Sequence, residues 1–177
     1  MKETNTCSLI GVSPIMMDLP YPPTQVKEKN QAYANLLSID YCGAVSEMSA
    51  ITQYINNENR LSCEKCPLIK TILGIAMAEM VHLQKLGELI FLLGGKIDFT
   101  ARYRDGGIKM WTPEYLTLPE NTRNMLVADI EAEQAAINQY KMHIKMIKDS
   151  DVNAVLTRII KDEEYHVMLL QAVMKGV

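Results

Sequence analysis

Glu79 and His82 stand three residues apart inside KTILGIAMAEMVHLQKLGELIFLLGG, an otherwise apolar stretch, and Glu163 and His166 repeat the arrangement near the end of the chain. At about 100° per residue, positions three apart lie on one face of a helix. The first pair shares its face with Ile72, Ile75, Leu83, Leu86 and Ile90, the second with Val152, Val155, Leu156, Ile159, Val167 and Leu170. An uncompensated buried carboxylate costs several kcal/mol, so each needs a partner in the core.

A second repeat supplies the partners. EMSAITQY (residues 47–54) matches EQAAINQY (residues 133–140), and a Glu-x-x-His follows each at a similar distance. Glu47 and Glu133 fall on apolar stripes, and all six groups lie near the mid-height of their helices. Four carboxylates alone would repel and take up protons. Two divalent cations balance them and leave two neutral imidazoles, so Glu47, Glu79, His82, Glu133, Glu163 and His166 read as ligands of two metal ions per chain. Carboxylate oxygen and imidazole nitrogen suit iron or manganese. Glu on two helices and Glu-x-x-His on two others is the di-iron or di-manganese carboxylate pattern of four-helix bundles. Tyr54 and Tyr140, two turns beyond Glu47 and Glu133, can reach across to ligands as hydrogen-bond donors. Asp129 and Asp40 can orient a ligand histidine, whereas helical phase turns Glu88, Glu131 and His143 outward.

These residues require four long helices. Residues 1–26 hold most of the prolines and form an arm, with Thr24 as a candidate cap for the first helix. Helical periodicity then runs over 27 to about 57, from Pro67 to the Gly94-Gly95 stop, over about 119–148, and on to about 175. Short loops pair the helices as antiparallel hairpins. Residues 96–118 lack a period and are long enough to travel the length of the bundle. The expected fold is all-α, a ferritin-like four-helix bundle over 27–177 with one long crossover between the second and third helices.

Composition sets the other bounds. Hydrophobic residues make up 48% of 177, ample for a core, and a net charge of -3 with interspersed signs offers no field to nucleic acid or a membrane surface. No apolar h-region or uncharged run of spanning length is evident, so the expected location is the cytoplasm. Four cysteines beside a real core read as reduced thiols, and a single CEKC, Cys63 to Cys66, falls short of a four-ligand site. The first two helices carry a strip nearly free of charge, including Asn35, Ile39, Cys42, Val45, Ser49 and Thr52, which predicts a homo-oligomer joined there. Arg158, Lys161 and Glu164 keep the later helices solvated.

From about 27 to 173 the chain resembles the ferritin-like superfamily of bacterioferritins, rubrerythrins and manganese catalases. SEMSAITQY, VADIEAEQAAINQY, the YPP of the arm and the Trp111 region look most like manganese catalases and their shorter spore-coat relatives; DEEYH looks more like bacterioferritin and rubrerythrin. The resemblance implies that Glu47 and His82 serve one metal, Glu133 and His166 the other, and Glu79 and Glu163 bridge. The manganese-catalase variant has Glu133 bridging and Glu163 outside the ligand set. It also implies a redox enzyme that reacts with hydrogen peroxide or dioxygen in catalase or peroxidase fashion. The alternatives are a ferroxidase that stores iron and a coat or assembly subunit stabilised by its metal.

Overall fold

The computed structural model describes residues 7–61 and 66–176. Five helices build a four-membered bundle: α1 (Gln31–Cys42) and α2 (Glu47–Arg60) form the first member, followed by α3 (Cys66–Leu92), α4 (Thr122–Met146) and α5 (Ser150–Met174). The first member, expected as one rod, is broken. Gly43 turns to extended backbone with its N–H still on the Ile39 carbonyl, and a Cβ there would lie 2.6 Å from that oxygen. Ser46 then caps α2 by accepting from Ser49 N. The cap of α1 is Asn30, not Thr24. Asn121 and Asp149 cap α4 and α5, and Gly94 in the left-handed region ends α3.

The core falls into two apolar clusters. One is built on Leu86, Leu89, Ile90, Ile137, Val155 and Ile159, the other on Tyr54, Leu68, Ile72, Ile75, Leu126 and Leu170. In α3, residues 79 and 82 separate the two; in α5, residues 163 and 166 do so. The bundle thus carries a polar layer between two oily blocks. α3 is long and apolar enough by length and composition to cross a membrane, and here its Glu79 and His82 face the bundle interior.

The crossover from α3 to α4 is not featureless. It contains an antiparallel hairpin of β1 (Thr100–Arg102) and β2 (Ile108–Met110) and a 3-10 turn at Pro113–Tyr115. It covers part of the charge-free strip: Arg102 N donates to Ser38 Oγ and Trp111 Nε1 to Ser49 Oγ, and Cys42 and Ser49, expected outward, are buried.

The arm is tied down along its length. Cys7 and Cys66 form a disulfide, contrary to the reduced thiols expected, because the arm brings positions 59 apart in sequence to a Cα separation of 5.5 Å at the start of α3. Cys63, the other member of CEKC, lies outside the described residues. Ile15 N bonds the Gly74 carbonyl, and the absent Cβ of Gly74 leaves room for the Ile15 side chain, 2.7 Å from where it would stand. Lys27 N reaches Asp149 and Asn30 N the Leu93 carbonyl. Closing a loop of this length constrains the unfolded chain, so Cys7→Ser is expected to lower stability by about 2–4 kcal/mol. Denaturant unfolding with and without a thiol reductant checks this, and the reductant should leave the variant unchanged.

Candidate metal centre

Each member of the bundle delivers its share of the polar layer from one face. α2 brings Glu47, α3 Glu79 and His82, α4 Glu133, α5 Glu163 and His166, and all six are buried. Their donor atoms form two groups, Glu47–Glu79–His82–Glu163 and Glu79–Glu133–Glu163–His166, each with its atoms within 4.8 Å of one another. Glu79 and Glu163 belong to both. His82 Nδ1 lies 2.8 Å from Glu79, 3.2 Å from Glu163 and 3.7 Å from Glu47. His166 Nδ1 lies 3.0 Å from Glu79, 3.1 Å from Glu163 and 3.7 Å from Glu133.

The far nitrogens are held by other partners. His166 Nε2 stands 2.8 Å from the carbonyl of Ile15 on the arm, and a carbonyl only accepts, so the proton sits on Nε2. His82 Nε2 meets Asp162 at 3.2 Å. Asp162 also takes Met17 N, Tyr21 Oη and the Arg158 guanidinium, whose other nitrogens reach the Met17 and Leu19 carbonyls. Arg158, expected in solvent, is buried for this reason. The arm and α5 together therefore fix both imidazole planes, a role that the lack of periodicity in the arm does not reveal. Asp162, immediately before Glu163, is likewise unmarked by the repeated motifs.

Tyr54 Oη donates to Glu133 and Tyr140 Oη to Glu47, each across the bundle. Burial, followed by the facing glutamate charge, pushes both phenols well above their ordinary range, so they stay donors. Asp129 meets no ligand histidine and instead accepts from Gln53 and Asn57. Asp40 pairs with His143, which is buried, not outward, because this carboxylate is there to receive it at 2.7 Å. Glu131 is exposed, and Glu88 pairs with Lys85 on the surface.

Burial pushes Glu47 and Glu133 well above the carboxylate range, and the charges of Glu79 and Glu163 add to the rise. Burial acts the same way on Glu79 and Glu163, but the two imidazoles outweigh it and hold both down. The imidazoles rise in turn, against their own desolvation. Without cations, protons are thus drawn to Glu47, Glu133 and the two imidazoles and away from Glu79 and Glu163. Divalent cations can take the place of those protons. Glu79 Oε1 and Glu163 Oε1 accept no hydrogen bond and stand 3.0 Å and 3.2 Å from an imidazole nitrogen, and each Nδ1 confronts three carboxylates with at most one proton. A donor set of this kind fits metal ions.

A cavity of about 270 Å³ reaches the layer from one side. It is lined by all four glutamates and both tyrosines, and by neither histidine.

The sequence profile of the rubrerythrin family matches residues 43–174, from the break before α2 to the end of α5. The chain belongs to this family. It is 24% identical over 173 residues to a probable manganese catalase of Clostridium acetobutylicum, across 86% of this chain and 75% of that protein. The fold superposes on a manganese catalase from Anabaena with a TM-score of 0.80 at 24% identity, over 90% of this chain and 78% of that one. A bacterioferritin from Rhodobacter capsulatus superposes with a TM-score of 0.66 at 22% identity, over 83% and 86%. These likenesses carry the ferritin-like fold.

In this rubrerythrin-family chain the candidate ligand histidines are backed by Asp162 and by the Ile15 carbonyl. Asp162→Asn removes the charge that orients His82 and is expected to weaken Mn(II) or Fe(II) affinity about 10–100-fold. Competition with a metal chelator measures it, with circular dichroism to verify that the helices remain.

Proposed function

We propose that the protein is a di-metal oxidoreductase that holds two iron or manganese ions and consumes hydrogen peroxide, with dioxygen as the other candidate oxidant. Glu47 and His82 would hold one ion and Glu133 and His166 the other, with Glu79 and Glu163, common to both groups of donors, available to each. The observation that carries the reading is the asymmetry of access: the imidazole side is sealed by Ile15 and Tyr21, while the carboxylate side opens on a cavity with room for a small oxidant. A site that only stabilises the fold needs no such opening. The manganese catalase relatives support the same class.

When bound, the metal pair supplies the redox equivalents and Lewis acidity of the reaction. The chain's own residues prepare the site. Tyr54 and Tyr140 each occupy one oxygen of a glutamate and leave the other free to coordinate. Asp162 and the Ile15 carbonyl keep the proton on Nε2 of each histidine, so that the Nδ1 lone pairs face inward. The two apolar blocks keep bulk water away from both ends of the layer. Association of copies through the first hairpin belongs to the same proposal, supported by the face of α3 that carries exposed Met80 beside half-buried Leu73, Met77 and Val81.

Loading two divalent ions must expel the protons that the layer holds without them. Glu47, Glu133, His82 and His166 all have raised proton affinities, so metal binding weakens as pH falls. A pH-stat titration is expected to record net release of protons as the ions load. Release of none would mean that the cations bind elsewhere.

Glu79→Gln and Glu163→Gln should each lose two-ion loading by metal analysis, because a shared carboxylate is gone. The loaded protein should consume hydrogen peroxide without a donor if it acts as a catalase, and only with a reductant if it acts as a peroxidase. Iron accumulating far beyond two atoms per chain, with negligible peroxide turnover, would point instead to storage.

A further inference from the structure

The repeated AITQY and AINQY segments reach across the bundle in the same way. Tyr54 bonds Glu133 and Tyr140 bonds Glu47; Gln53 donates to Asp129 at 2.8 Å and Gln139 to Asp40 at 2.8 Å. Three residues after each tyrosine comes a second donor to the same aspartate, Asn57 to Asp129 at 2.9 Å and His143 to Asp40 at 2.7 Å. Both aspartates are 1% exposed. Two differences break this correspondence. The donor is a fixed amide in one half and a titratable imidazole in the other. Asp40 lines the cavity beside the four glutamates, and Asp129 does not.

The break between α1 and α2 accounts for the second difference. It places Asp40 seven residues before Glu47, where Asp129 stands four before Glu133, and the inserted Ala44, Val45 and Ser46 line the cavity next to it. A buried carboxylate backed by an imidazole and facing a substrate-sized space is the arrangement of a general base.

We infer that Asp40 is the proton acceptor for the oxidant in the cavity and that His143 is the residue that positions it and shares its proton. The inference rests on the peroxide reading above. The step moves one proton and no electrons. An O–H bond of hydrogen peroxide breaks, the bonding pair stays on oxygen as hydroperoxide anion, and the proton joins the Asp40–His143 pair, which goes from one negative charge to none. The proton returns to a product hydroxide as water. Burial raises the proton affinity of Asp40, and His143 and Gln139 moderate the rise. The other titratable groups on this cavity are Glu131, Glu133 and Tyr140 of α4, Glu47 and Tyr54 of α2, Glu79 of α3, Glu163 of α5 and Tyr115 of the crossover. From the crossover, β1 brings Arg102 toward α1, already paired with Asp98.

His143→Asn gives Asp40 the donor type that Asp129 already has, so the fold should survive, and Asp40→Asn removes the acceptor itself. Both variants, with manganese loading verified by metal analysis, are titrated with azide, an unreactive anion, across the neutral pH range, and assayed with hydrogen peroxide. In the unmodified protein azide should bind with uptake of one proton, so that its affinity falls about tenfold per pH unit above a break point. His143→Asn should move the break, because the imidazole that sets the proton affinity of Asp40 is replaced, and Asp40→Asn should flatten the dependence. Peroxide turnover should fall about 100-fold in Asp40→Asn. Azide affinity independent of pH in the unmodified protein, or an identical dependence in all three, overturns the relay even if peroxide is consumed. A proton-linked azide affinity that His143→Asn shifts upholds the relay even where no peroxide is consumed, in which case the peroxide reading alone fails. If Asp40→Asn does not fold, the His143→Asn titration decides.

Discussion

Four carboxylates in the middle of a helical core are the constraint on which the rest of this structure depends. Each costs several kcal/mol to bury unpaired. Glu79 and Glu163 each meet the imidazole of their own helix, but Glu47 and Glu133 have no such partner on theirs, and compensation for them must come from the other members of the bundle. His82 of α3 meets Glu163 of α5, His166 of α5 meets Glu79 of α3, and the tyrosines of α2 and α4 reach each other's glutamates. The full set of contacts exists only when all four members are in place, and the apolar clusters on either side fix the height at which they meet. Without that register the same side chains would be unpaired charges.

The two sides of the layer are built differently, and the difference comes from segments outside the regular helices. On the imidazole side, an arm without secondary structure supplies backbone groups that a helix could not, because helical carbonyls are already occupied. Ile15 lends its carbonyl to His166, and Met17 and Leu19 anchor the Arg158–Asp162 pair behind His82. Gly74 lets the arm approach α3 closely enough to do this. On the other side, the interruption at Gly43 opens space over the glutamates, while the crossover hairpin and Trp111 cover the helix face beside it. Closure on one side and access on the other are both products of irregular backbone.

Legibility in the sequence divides along the same line. The four bundle members and the six converging side chains can be read because helical phase and a duplicated octapeptide are local signals that survive without knowledge of packing. The break at Gly43 is harder to see: Ala44 and Val45 do not oppose a helix, and only a glycine followed three residues later by a capping serine marks the stop and restart. Phase alone places His143 and Arg158 in solvent. Each is buried because an aspartate waits for it, Asp40 on α1 and Asp162 one turn along α5, and phase cannot report a polar partner on the buried side. The Cys7–Cys66 pair and the Ile15 carbonyl are beyond reach for another reason: they depend on where an aperiodic arm lies, which no period encodes.

The duplication bears on how the site and the fold depend on each other. If each hairpin carried its own glutamates and its own tyrosine, either half could assemble a site alone. Instead Tyr54 holds the glutamate of the second hairpin and Tyr140 that of the first, and each Nδ1 faces carboxylates from both halves. Neither hairpin contains a satisfied set. Docking of the halves and completion of these contacts are therefore one event, and any cation that the layer binds is also a clamp between them. That coupling explains why the supports of the histidines come from the arm and from α5 rather than from the hairpin carrying His82: a clamp shared by two halves is steadied best by a segment that touches both, and the arm touches α3 at Gly74 and α5 at Asp162.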